Sequence, residues 1–162
     1  MVAVALTVLA AAVPARAQAD AHRLVDGAKA PEFSLLDTSG KRWRLQDHAG
    51  KVLVLNFWAY WCNTWEQELP HLQELTDRQK DLGFQLVAVS VDGARLQEFL
   101  KRTRGKLPDP VLLDPGSRIT QLYRVSHVPT LIVLDRKGRV RSVQVGFPGT
   151  PVMLNLIRGA SG

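Results

Sequence analysis

Two stretches of the chain are almost continuously apolar. Residues 51–58 read Lys51-Val52-Leu53-Val54-Leu55-Asn56-Phe57-Trp58, and residues 84–91 read Phe84-Gln85-Leu86-Val87-Ala88-Val89-Ser90-Val91. Runs of that length without polar alternation suit strands buried on both faces. Between them Trp65, Leu69, Leu72 and Leu75 recur at helical spacing, with Glu66, Gln67, Gln73, Glu74 and Asp77 on the other sides. The spacing predicts a helix over 63–80, interrupted by Pro70 and closed by Gly83. Upstream, 32–37 and 41–45 alternate around Thr38-Ser39-Gly40 and predict a small hairpin. Downstream, Asp92 or Gly93 caps a helix carrying Leu96, Phe99 and Leu100, followed by an extended piece at 111–113 and a short helix at 117–123. Pro129 then introduces a strand at 130–135, Arg136-Lys137-Gly138 turns the chain into a second at 139–145, and Gly149-Thr150-Pro151 opens a last helix over 152–157. Strands joined through helices pair in parallel and hairpin strands antiparallel. The expected class is therefore α/β, with a mixed central sheet flanked by helices on both faces and an N-terminal β-hairpin extension.

The first segment does not belong to that pattern. Residues 1–13 are a nearly unbroken run of Val, Ala and Leu, followed by Pro14-Ala15-Arg16-Ala17-Gln18-Ala19. The run is too short to cross a bilayer as a permanent helix, and the small residues after it suit a signal peptidase. A core helix would need a polar face, which the run lacks. The expected organisation is a signal peptide at 1–19, a flexible polar segment at 20–30 and a single domain at 31–160. The mature protein is then extracytoplasmic, most simply periplasmic, with no permanent membrane anchor. The whole chain has 162 residues, one domain's worth, and a formal charge of +6. Its basic residues are dispersed. The densest stretch, 101–106, has no aromatic interleaving and falls at an expected helix end, so nucleic acid is not an expected partner.

Cysteine usage narrows the chemistry further. Cys62 is the only cysteine, which excludes an internal disulfide and any multi-cysteine metal cluster. It lies in Phe57-Trp58-Ala59-Tyr60-Trp61-Cys62-Asn63-Thr64-Trp65, where an expected strand runs directly into an expected helix. This segment resembles the thioredoxin-like superfamily, and within it the extracytoplasmic bacterial thiol-disulfide oxidoreductases of the cytochrome c maturation type (redoxin or alkyl hydroperoxide reductase-like). Those proteins commonly carry Phe-Trp-Ala-x-Trp-Cys-x-x-Cys at this junction, and residues 57–62 match its first six positions. Pro70 falls where the family's active-site helix carries a proline, Val128-Pro129-Thr130 looks like its cis-proline loop, and Glu68 matches a buried acid of the cytochrome c maturation members. The resemblance implies a thioredoxin fold and needs no cofactor.

The chain departs from that pattern at one decisive place. Trp65 stands where the family has its second cysteine, and Thr64 where a proline often precedes it. A dithiol reductase attacks with its first thiol and resolves the mixed disulfide with its second. With Trp65 in that place, Cys62 can form a mixed disulfide but needs an external thiol or partner to release it. A thiol at the first turn of a helix faces unpaired backbone N–H groups that stabilise a thiolate, whereas a free cysteine elsewhere is more often a small buried hydrophobe.

The remaining candidates follow from position. Glu68 is either a buried carboxylate relaying protons to the thiol or a surface acid paired with a cation. His127, two residues before Pro129, is either a thiolate partner or a solvated loop residue, and one Cys with one His is an incomplete metal set, so no metal is expected. Trp61, Trp65, Val128, Pro129 and Thr130 are the expected substrate groove. The favoured reading is monothiol exchange through Cys62 with extracytoplasmic proteins carrying cysteines or disulfides, or with a small-molecule thiol. The alternative is a redox-silent peptide-binding or chaperone-like module that kept the groove. A peroxidase of the peroxiredoxin type ranks lower, because Ala59 occupies the place where that pattern has Thr or Ser.

Overall fold

A computed structural model describes residues 24, 26–62, 64–92, 96, 99–100 and 107–162. The expected signal peptide, residues 20–23 and 25, residues 93–95 and 97–98 of the expected helix after Asp92, and the basic stretch 101–106 lie outside the described residues. Seven strands form one sheet: β1 (Ser34–Asp37), β2 (Arg42–Arg44), β3 (Val52–Trp58), β4 (Phe84–Ser90), β5 (Val111–Leu113), β6 (Thr130–Leu134) and β7 (Val140–Val145). The spatial order is β2-β1-β5-β4-β3-β6-β7. β3, β4 and β5 run parallel, while β6 and β7 continue the sheet antiparallel on one side and β1 and β2 on the other. This is a thioredoxin fold whose N-terminal hairpin is built into the sheet, pairing with β5 through Leu36 and Asp37.

The two apolar runs occupy the sheet centre, as their lack of alternation requires. Every residue of β3 is buried. On one face Val52 and Val54 meet Leu72 and Leu75 of α1 (Trp65–Leu82) and Met153, Leu154 and Ile157 of α3 (Thr150–Ala160). On the other face Leu53, Leu55 and Phe57 pack with Phe33, Trp43 and, from α2 (Arg118–Leu122) and its end, Ile119 and Tyr123. Helices therefore cover both faces. A smaller third cluster, Trp58, Ala88, Leu96 and Val111, lies under the site end of the sheet.

Several boundaries differ from the expectation. α1 runs 65–82 rather than 63–80 and continues through Pro70, whose ring nitrogen cannot donate to the preceding turn, while Gly83 closes it as expected with a left-handed φ of 68°. α3 runs 150–160 rather than 152–157, because Met153, Leu154, Ile157 and Ala160 form one buried stripe. A 3-10 turn at Leu45–His48 joins β2 to β3. The ordered chain also begins before Pro31. Lys29 bridges Arg139, Gly27 N–H donates to the Val140 carbonyl at 2.7 Å, and Ala30 is buried, so residues 27–30 are held against the β6–β7 turn rather than free.

Candidate active site

β3 delivers its last residues to the edge of the molecule and α1 starts a few residues later, so Cys62 sits in the connecting turn. Its N–H donates to the Ala59 carbonyl and its own carbonyl accepts the Trp65 N–H, both at 3.2 Å. Cys62 is half-buried. Sγ lies 3.2 Å from Thr64 Oγ1 and donates towards the Val128 carbonyl at 3.5 Å. The Val128–Pro129 peptide bond is cis and Pro129 is buried, so the cis-proline loop lies directly beside the thiol. Thr130, also buried, secures that loop by donating its hydroxyl to the His127 carbonyl at 2.7 Å.

The loop before the cysteine is pinned by a residue whose role the sequence does not disclose. The sequence offers Asp92 only as a helix cap, but its Oδ2 accepts the Tyr60 N–H at 2.7 Å and the Ser90 hydroxyl at 3.1 Å, and the Trp61 side chain donates to it as well. Burial pushes this carboxyl above its usual range, and the three hydrogen bonds oppose the shift. Asp92 follows the C-terminal end of β4, next to β3 in the sheet, and that adjacency was the available signal.

Glu68 is buried, 7% exposed, which settles its side of the helix. It lines a small cavity with Asn56, Trp58, Trp65, Leu69, Leu72, Ala88, Leu107 and Pro108. Burial raises the carboxyl above the usual range, and a hydrogen bond from the Thr64 hydroxyl partly restores it. Two further polar atoms of that lining, Asn56 Oδ1 and Trp58 Nε1, have no partner among the described residues. The carboxyl therefore stands in a mostly apolar chamber with one acceptor and one donor nearby.

The aromatic residues divide by depth. Trp61 is 59% exposed, beside the thiol. Trp65 turns inward instead, half-buried, with its ring edge-on to Phe99 at 4.8 Å and its side chain over the Glu68 cavity. His127 is exposed, and its Nδ1 pairs with the Ser126 hydroxyl at 2.9 Å. Among the described residues, no group of three His, Cys, Asp or Glu side chains is placed to hold a metal ion, and no helix is long and apolar enough to cross a membrane.

The fold that carries Cys62 has counterparts among known proteins. The AhpC/TSA family profile matches residues 27–143, which is most of the chain. The chain belongs to that family. Among its members, a thiol-disulfide oxidoreductase ResA of Bacillus cereus is 34% identical over 130 residues, covering 79% of this chain and 74% of that one. The thioredoxin-like protein YneN of Bacillus subtilis is 36% identical over 126 residues, 75% and 72% of the two chains. Of the solved structures, a candidate thiol:disulfide interchange protein DsbE from Chlorobium tepidum superposes with a TM-score of 0.76 at 33% identity, over 85% of this chain and 99% of that one. The exposed lipoprotein thioredoxin Etrx1 of Streptococcus pneumoniae gives 0.72 at 28%, over 80% and 99%. The family thus shares this fold and carries members named for thiol–disulfide chemistry.

Proposed function

We propose that the protein is an exported monothiol exchange protein, in which Cys62 attacks a disulfide and an external thiol or partner releases it. The observation that carries the reading is the position of the sulfur. It belongs to a half-buried residue, it lies 3.5 Å from the Val128 carbonyl beside cis-Pro129, and the residue one turn on is Trp65 rather than a second thiol. A substrate strand laid along the cis-proline loop would bring its disulfide to that sulfur. Thiolate attack breaks the incoming S–S bond, forms a Cys62 mixed disulfide and expels the other sulfur as thiolate. Release reverses these steps with an added thiol, so the cycle is redox-neutral for the protein. Relatives named thiol-disulfide oxidoreductase and the apolar run at residues 1–13 support the chemistry and the export respectively.

Incubating the mature chain with oxidised glutathione across pH, and following intact mass, tests this directly. The expected result is one adduct, absent from Cys62→Ser, that is discharged by added reduced thiol. A correctly folded protein that forms no adduct near neutral pH sinks the reading. The exposed Trp61, next to Cys62 in the chain, favours one second reading, a redox-silent peptide binder. That reading expects peptide affinity that Cys62→Ser leaves unchanged and Trp61→Ala weakens. Export is checked by fractionating cells that carry the full chain, with a shortened N-terminus in the mature form as the expected finding.

A further inference from the structure

Basic residues that are dispersed along the sequence are gathered by the fold at the end of the sheet opposite the thiol. Lys51 immediately precedes β3 and Cys62 follows its other end, so the seven residues of β3 stand between them, about 20 Å of extended chain. A surface cavity of about 280 Å³ opens at the far end, and its lining includes four cations from three segments: Lys29, Lys51, Arg136 and Lys137. Hydrogen bonds fix the convergence. Gly50 N–H donates to the Arg136 carbonyl at 2.9 Å, tying the start of β3 to the β6–β7 turn. Asp135 Oδ1 shapes that turn by accepting the Lys137 and Arg139 N–H groups at 2.8 and 2.9 Å. Lys29 reaches across it, its Nζ donating to the Lys137 carbonyl at 2.7 Å over Gly138, where a Cβ would stand 2.9 Å from that nitrogen.

Like charges brought to one cavity repel each other. Against the four cations the lining sets two carboxylates, Glu32 and Asp135, which leaves an excess of two positive charges. The ion pairs among the described residues, Arg78–Glu74 and Arg141–Asp26, involve none of the four cations. An unused polar group lies on the same wall. His48 lines the cavity and stacks on Trp43 at 4.4 Å, yet its buried Nδ1 has no hydrogen-bond partner among the described residues. Burial and then the Lys51 charge hold the imidazole below its usual value, so near pH 7 the ring is neutral, with one donor and one acceptor nitrogen.

We propose that this cavity binds a phosphomonoester, at a site separate from the thiol and independent of exchange at Cys62. A phosphomonoester carries about two negative charges at neutral pH and presents three acceptor oxygens, which matches the charge excess, whereas a single carboxylate would leave half of it unmet. The three lysines supply mobile point charges and Arg136 a planar fork of donors, both suited to phosphate. The volume sits at the lower end for small-molecule sites, about 300 Å³, so the cavity takes a headgroup or a compact metabolite rather than an extended chain. A lipid headgroup and a free metabolite both carry this chemistry.

The test titrates inorganic phosphate into the protein at constant ionic strength, with amide chemical shifts as the readout and the melting transition as the check of folding. Saturation below about 10 mM is expected, with shifts concentrated at residues 29, 48–51 and 135–138 and a rise in melting temperature. Lys51→Gln and Arg136→Gln should each weaken binding about tenfold, the worth of roughly one charge-assisted hydrogen bond. Lys80→Gln, which removes an exposed cation of α1, should leave it unchanged. Acetate should bind more weakly than phosphate. Phosphatidylcholine vesicles with and without phosphatidate separate the two sources. Sedimentation with phosphatidate alone, lost in Lys51→Gln and Arg136→Gln, assigns a lipid headgroup, and phosphate binding without sedimentation assigns a free phosphomonoester. Responses to acetate or chloride equal to those for phosphate, or Lys51→Gln and Arg136→Gln variants that behave like Lys80→Gln, would overturn the site.

Discussion

Glu68 carries a cost that depends on pH. Its carboxyl is raised by burial in the folded chain and takes an ordinary value, about 4.3, when unfolded. The folded state thus prefers the protonated acid, so the stability this confers is fully present below the unfolded value and is lost as pH rises through the raised native value. Glu68→Gln keeps the shape and removes the ionisation. The variant should melt higher than the wild type at pH 8, with the difference shrinking towards pH 4, and a gap that is constant with pH would contradict the assignment. The orphaned Asn56 Oδ1 and Trp58 Nε1 bear on the same chamber, since a water there would accept from the indole and donate to the amide oxygen.

At the scale of elements, α2 spans only Arg118–Leu122 and cannot hold itself together by helix propensity. Asp114 fixes it. This fully buried carboxylate accepts the Ile119 N–H at 3.0 Å, the Thr120 N–H at 2.8 Å and the Thr120 hydroxyl at 2.7 Å, while its own N–H ties to the Ser90 carbonyl of β4. Asp114→Ala leaves three buried donors without a partner and should cost about 3 kcal/mol in a urea titration. Elements of this kind explain what was and was not legible. The uniform apolar runs forced β3 and β4 to the sheet centre, and the Trp65, Leu72, Leu75 spacing forced α1, because each signal lies within a single window. Leu45–His48 was missed because four residues carry no period. The pairing of Gly27 and Lys29 with the β6–β7 turn was missed because its partners are distant in sequence. At the site, Cys62, Glu68 and the cis-proline loop were singled out through the family resemblance, and the structure places the loop beside the thiol and Glu68 in the interior. Asp92 acts through neighbours that only the folded chain supplies.

Among the described residues, apolar side chains gather in three clusters, and the one that holds Trp58 lies nearest the thiol. Val52, Val54, Leu131 and Val133 are sealed between the central sheet and two helices. Trp58, Ala88, Leu96 and Val111 cluster apart from these, with the partly covered Tyr60, Phe99, Leu100, Leu107 and Leu113 around them. Cooperative opening follows the density of buried contact. Amide exchange is therefore expected to be slowest in β3 and β6 and several-fold faster at Trp58, Tyr60 and Trp61, and uniform protection along β3 into the Cys62 turn would contradict this. The consequence is a two-tier molecule. Under the proposed exchange reaction, an opening confined to the rim around Trp58, Tyr60 and Phe99 would admit a bulky disulfide partner past Trp65 while the sheet beneath stays shut, so the breadth of partners would be set by that local opening and not by the melting point of the protein.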